Sequence, residues 1–445
     1  MKTIAKTMMI LALTAATADT LKAEQHEAPS PMDAKKEKKF EYNNERFADL
    51  QMLRYKVEGF ENLTLKQKTF IYYLQEAALY GRDILFDQNG KYNLRIRKML
   101  EDVYVNYQGD RESKNFKALE TYLKRMWFSN GIHHHYGSEK FVPEFTRKWL
   151  QDCAVCSDEI ADVIFNPGVL QKRVNLAEGE DLVKTSASNY YENVTQREAE
   201  EFYAKQKAEG DSLHPVMYGM NSRLVKTKNG TIIEKKWTIN GLYGNAIKKI
   251  VENLELARPF AEDEQQQKVI DLLISYYKTG DLKTFDQYSI AWVENTAPLV
   301  DFVNGFIECY GDPLGLKCSW ESIVNFKDIE ATKRTETLSA NAQWFEDHSP
   351  VAPEFKKEKV KGITAKVIKA AILAGDLYPS TAIGINLPNS DWVRAEHGSK
   401  SVTIGNLTDA YNQAAKGNGM LQEFAYGKEE IALIEKYGDL TDDLH

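Results

Sequence analysis

Most of this chain carries its apolar side chains at helical spacing. Thr64-x-x-Gln67 has the form of a capping box, and Phe70, Tyr73, Leu74 and Ala77 then fall on one face up to Gly81. Asp87-Gln88-Asn89-Gly90 predicts a turn. Beyond it, Leu94, Met99, Leu100 and Val103 predict a second helix. Val269, Leu272, Leu273 and Tyr276 mark another, stopped by Gly280. Lys428 to Tyr437 predicts a short amphipathic helix before Gly438. Tyrosines are frequent on these stripes, which read as core rather than as binding surface.

Two regions break the helical period. Leu224 to Ile239 has β-rich runs on either side of Asn229-Gly230, the strongest short hairpin signal. Residues 380–407 alternate Gly, Pro and Asn with short apolar runs, which predicts strands and tight loops. The expected fold class is therefore α+β, predominantly helical, with a modest sheet or barrel rather than a repeating βαβ array. No internal repeat is visible.

Composition sharpens this picture in two ways. The chain has 445 residues, 43% hydrophobic and 27% charged, which suits a soluble globular protein of two or three domains. With 57 Lys and Arg against 65 Asp and Glu, its net charge of −8 argues against nucleic acid as a partner. The longest uncharged apolar stretch, Thr7 to Ala18, is shorter than the roughly 20 residues of a spanning helix, so no transmembrane span is expected. Its basic start and the small-x-small Ala16-Thr17-Ala18 have the form of a secretory signal peptide, residues 1–18, implying export to a bacterial periplasm. A cytoplasmic protein with a frayed terminus is the alternative. The charged residues 19–45 read as a disordered spacer.

The candidate chemistry is scattered. Cys153-x-x-Cys156 has the spacing of a redox pair or half a zinc site, but Cys309 and Cys318 lie too far apart to complete the latter. These cysteines read as structural. His133-His134-His135 sits between Asn130-Gly131 and Gly137; in an extended segment His133 and His135 share a face, so either a metal pair or a hydrogen-bonding loop fits. Asp301 and Glu308 are carboxylates within an apolar run, PLVDFVNGFIECYGDPLG, where each needs a partner, internal or a cationic ligand. Asn386 and Asn389 bracket Pro388 in GINLPN; their amides suit a peptide backbone or an α-amine, or simply a turn. No H-E-x-x-H, phosphate loop or G-x-S-x-G elbow occurs.

Taken in order, YGSEKFVP (136–143), GFIECYGDPLG (305–315) and GINLPN (384–389) resemble the dipeptidyl peptidase III family, Bacteroides-type branch, from about Phe47 onward. The resemblance implies a zinc exopeptidase that removes dipeptides from the N-terminus of short peptides. It implies two lobes about a cleft, the lower with a five-stranded β-barrel among helices, the upper helical and carrying zinc. By motif, Asp301 stands where an acidic residue binds the substrate's α-ammonium, and Asn386 and Asn389 where asparagines hold its N-terminal end. His135 and Tyr136 match cleft positions, and Glu308 joins this substrate-binding set. The implied layout is a lower lobe over 46–321, an upper-lobe piece over 322–368, lower-lobe strands and loops over 369–416 and the start of the upper lobe over 417–445.

One departure stands out. The family's zinc ligands come from H-E-x-x-G-H and a later E-E-x-R-A-E, and neither occurs in these 445 residues. His445 lies near the point where the first motif falls in relatives. The expectation is an N-terminal portion of such an enzyme that holds peptides without zinc and without cleaving them. A non-catalytic peptide-binding module, or the product of a broken gene, is the rival reading.

Overall fold

The computed structural model describes residues 40–360, 363–415, 427–430 and 432–433. The signal peptide, nearly all of the spacer, most of 417–445 and half of 428–437 lie outside the described residues. All elements below belong to Tyr42–His445, one of two units into which the chain divides. Among the described residues no helix is long and apolar enough to cross a membrane.

A small hairpin, β1 (Asn43–Phe47) and β2 (Leu50–Leu53), opens the unit. Its first strand begins inside the stretch expected to be spacer. Helix α1 (Leu65–Leu79) starts as its pattern predicts: Thr64 Oγ1 accepts from the Gln67 amide at 3.2 Å, and Gln67 Oε1 accepts from the Thr64 amide at 3.0 Å. The predicted turn at Asp87 comes two residues late. Ile84, Leu85 and Phe86 are buried and draw 82–88 into a short helix, α2 (Arg82–Gln88), before the chain turns at Asn89. Helices α3 (Asn93–Asn106), α4 (Lys114–Phe128), α5 (Arg147–Cys153) and α6 (Asp158–Phe165) enclose their own core around Ile96, Leu100, Leu119 and Met126. Cys153 and Cys156 are free thiols packed against it, and burial raises both pKa values, which suits a structural role.

Short helix α7 (Leu182–Thr185), strand β3 (Tyr191–Glu192) and helix α8 (Gln196–Glu209) lead to the predicted hairpin, β4 (Ser222–Lys226) and β5 (Ile232–Lys236). Asn229-Gly230 forms its tip, and the three strands make one sheet in the order β3-β4-β5. Helices α9 (Gly244–Ala257), α10 (Glu264–Thr279) and α11 (Leu282–Glu294) follow. Gly280 ends α10 at φ 66°, a left-handed cap that costs glycine little.

The main sheet comes next: β6 (Val300–Glu308), β7 (Ser319–Lys327), then helices α12 (Ile329–Ala340) and α13 (Ala342–His348), and β8 (Ile363–Gly375). It is completed by β9 (Gly384–Leu387), helix α14 (Asp391–His397), β10 (Ser399–Ile404) and a closing helix α15 (Gly405–Ala415). Strand order is β6-β7-β8-β10-β9, with β8 and β10 parallel and the other neighbours antiparallel. The sheet has the five strands that the resemblance implies, but among the described residues no ladder joins β6 to β9, so it is open. The expected boundaries at 321/322 and 368/369 fall inside β7 and β8, which narrows the helical excursion to 328–362. Residues 380–407 include a helix as well as strands. Phe70 of α1 meets Phe302 of β6 edge to face at 6.2 Å, and one core joins α1, α9, α10 and α11 to the sheet.

Candidate functional site

Strands β6, β7 and β8 bring three carboxyl groups together at one end of the sheet. Glu308 closes β6 and faces Ser319 of β7, whose hydroxyl donates to Asp376 just after β8 at 2.6 Å. Glu321 of β7 pairs in register with Gly305 on one side and Gly375 on the other, so its side chain rises between two positions without one. At Gly375 (φ 63°) a Cβ would lie 2.2 Å from the Trp320 carbonyl, which excludes other residues there.

The electrostatics of this trio are one-sided. Glu321 is only 2% exposed, and burial, then Glu308 and Asp376, push its carboxyl well above the usual range. Burial also raises Glu308, as does Asp376, while a hydrogen bond from Asn389 Nδ2 at 3.1 Å opposes the shift. Among the described residues no cation lies within ion-pairing distance of Glu308, Glu321 or Asp376. Asn389 also donates to the Ile307 carbonyl at 3.2 Å, tying GINLPN across the end of β6. Asn386 is exposed on β9, which among the described residues has β10 as its one strand neighbour.

Asp301 is placed differently from the other predicted site residues. It stands seven residues from Glu308 along β6, roughly 23 Å at about 3.3 Å per residue. Its carboxylate accepts from Lys400 Nζ at 2.9 Å, Trp292 Nε1 at 3.1 Å and the Phe302 amide at 2.8 Å. Lys400 is completely buried and also sits over the Trp292 ring, 4.1 Å from its centroid. The partner that an apolar run demands of Asp301 is therefore internal, and its charge is compensated without a ligand.

Beside the trio lies a cavity of about 640 Å³, lined by Asp376, Tyr310, His135, Tyr136, Arg173 and Lys172 among others. His135 and Tyr136 thus line a cavity. Tyr136 Oη accepts from Ser380 at 2.9 Å. Burial, then His134 and Arg173, lower the His135 pKa to about 4, which keeps the ring neutral at pH 7. His133 does not join it: its ring is buried with Nε2 2.8 Å from the Leu170 carbonyl. Among the described residues no group of three or more His, Cys, Asp or Glu side chains is placed to hold a metal ion. The donor set that zinc needs, about three protein ligands, is not met by them.

Sequence reasoning missed Glu321, Asp376 and Arg173. Glu321 carried a usable signal, a carboxylate in the apolar run SWESIVNF, while Asp376 and Arg173 carried none.

A second buried acid backs the site. Asp286 of α11 is 7% exposed and lines an apolar hollow with Trp292, Pro388 and Asn389. Burial, then Asp281, raises its carboxyl to about 7. As pH rises from about 4, the unfolded chain gives up this proton first while the folded protein keeps it to about pH 7, so stability falls across that window. Asp286→Asn is therefore expected to raise stability at pH 8 by about 2–4 kcal/mol and to change little at pH 4, read by urea denaturation at both values. An equal effect at the two pH values would contradict it.

The sequence profile of peptidase family M49 matches residues 218–437. Dipeptidyl peptidase 3 of Dictyostelium discoideum is 26% identical over 392 residues, covering 79% of this chain and 54% of that protein. Dipeptidyl peptidase 3 of Nematostella vectensis is 24% identical over 437 residues, covering 82% and 57%. The chain thus spans a little over half the length of the curated relatives it matches. The structure of DPP III from Caldithrix abyssi superposes with a TM-score of 0.62 at 18% identity, over 84% of this chain and 61% of that one. At that identity the match speaks for a shared fold.

Proposed function

The chain belongs to peptidase family M49, and from that premise we propose that it holds short peptides by their free N-terminus, as the recognition part of a dipeptidyl peptidase III. The observation that carries this reading is the carboxyl trio Glu308, Glu321 and Asp376, which has no cation partner among the described residues. An α-ammonium supplies the missing positive charge, and capture of a terminal amine by carboxylate and amide groups is a known recognition mode. Asn389 already bonds Glu308 and orients it. Strand β9, with its outer edge unpaired among the described residues, supports the reading further, since an extended peptide can add beside it with Asn386 in reach. Asp301, paired with Lys400, is assigned to the fold instead of to the ligand.

Zinc in a family member would polarise the scissile carbonyl and activate water. Neither zinc motif occurs in the sequence and no ligand set is placed among the described residues, so the chain by itself is proposed to bind peptides without cleaving them.

Calorimetry with a tripeptide amide tests the reading. The free amine is expected to bind and the N-acetylated form to show no heat of binding. Affinity should fall on acidification through the raised pKa of Glu308, above the roughly 4.3 of an ordinary glutamate, and also fall above pH 8 as the α-amine loses its proton. Equal binding of acetylated and free peptides would remove the amine from the account. Dipeptide release by this chain alone would overturn its assignment as a binder without hydrolysis.

A further inference from the structure

The cavity has a second pole that amine recognition leaves unused. Arg173 lines the cavity together with Lys172, and Asp376 and Tyr310 belong to the same lining. Its guanidinium is held by two neutral oxygens, Nη1 to Asn89 Oδ1 at 3.2 Å and Nη2 to the His135 carbonyl at 3.0 Å. Among the described residues no carboxylate reaches it, and its Nε–H, enclosed by protein, has no acceptor. A half-buried guanidinium held rigidly without a counter-ion is costly, and its planar fork suits a carboxylate.

Arg173 and Asp376 do not pair with each other, yet both act on the completely buried Tyr190 phenol, which has no hydrogen-bond partner. Both charges line the one cavity, and they are not within ion-pairing distance of one another. One ligand with a charge at each end spans such a pair. A dipeptide places its amine and carboxylate about 7 Å apart at roughly 3.5 Å per residue. A cavity of about 640 Å³ has the volume for it.

We infer that this cavity is a zwitterion site, in which Arg173, with Lys172 at the rim, binds a carboxylate of the peptide whose amine rests on the acidic trio. The inference depends on the amine reading above. The carboxylate comes either from the C-terminus of a dipeptide or from an acidic side chain near the N-terminus of a longer peptide. Both present the same group to the guanidinium.

Calorimetry on the full chain separates these sources. One arm compares Ala-Ala with Ala-Ala amide, and the other compares Ala-Glu-Ala amide with Ala-Gln-Ala amide. At least about tenfold tighter binding of the carboxylate form is expected in one arm, and that arm identifies the source. Arg173→Gln should bring the favoured ligand down to the level of its neutral counterpart. Arg173→Lys keeps the charge but loses the fork, and should retain part of the preference; it guards against a folding defect in the Gln variant. If neutral and carboxylate ligands bind equally well, the zwitterion site is refuted while amine recognition stands. If no free-amine peptide binds, both fall.

Discussion

Glu308→Gln is expected to weaken binding of a free-amine tripeptide amide by about 10- to 150-fold, the equivalent of the roughly 1.5–3 kcal/mol of a hydrogen bond to a charged group. The substitution is nearly isosteric and keeps an acceptor for Asn389, so the loss reports the charge and not the shape of the site. Calorimetry of the variant and of the parent against the same peptide reads it directly. Asp301→Asn, by contrast, should leave that affinity within about twofold, because its carboxylate is already occupied by Lys400 and Trp292. The reverse pattern, binding lost at 301 and kept at 308, would return the amine to Asp301.

The large effect at Asp301 is expected in stability. Removing its carboxylate leaves the Lys400 ammonium, fully buried, without a counter-charge, at a cost of about 3–5 kcal/mol. Guanidinium chloride denaturation of Asp301→Asn should show this as a shift in midpoint at unchanged slope. The double variant Asp301→Leu with Lys400→Met should recover most of the loss, since an apolar pair of similar volume replaces the ion pair without stranding a charge. A single variant as stable as the parent would mean that Lys400 finds another partner and that the pair is not what holds β6 to β10.

These two carboxylates show how much of the site was legible beforehand. Both sit in one apolar run, and the run alone says that each needs a partner. It does not say which partner is built in. Lys400 is 99 residues from Asp301, and the two meet because the strand order puts β10 in the same sheet as β6. Among the described residues Glu308 has no such cation, and its neighbours Glu321 and Asp376 add negative charge instead. Charge compensation therefore separates two carboxylates that the motif alone leaves equivalent. The histidine run divides in the same way. As sequence, the three positions are alike; in the fold His133 is sealed against Leu170 while His135 lines the cavity.

Local interactions were readable because they close within a few residues. The Thr64 box, the left-handed stop at Gly280 and the Asn229-Gly230 hairpin each depend on backbone groups three to five positions apart, and all three appear where the pattern places them. The turn at Asp87 was displaced because burial of Ile84, Leu85 and Phe86 outweighed turn propensity.

The amino-acid sequence by itself determined the helical majority, the α+β class, the hairpin and the short list of polar groups in apolar surroundings. Tertiary structure decided which groups remain uncompensated among the described residues: Glu308 with Glu321 and Asp376, and Arg173, which lines the same cavity as Asp376. The physical reason is range. Capping and turn energies act between near neighbours, whereas the balance of charge at a site is summed over strands and loops that only the register of the sheet brings together.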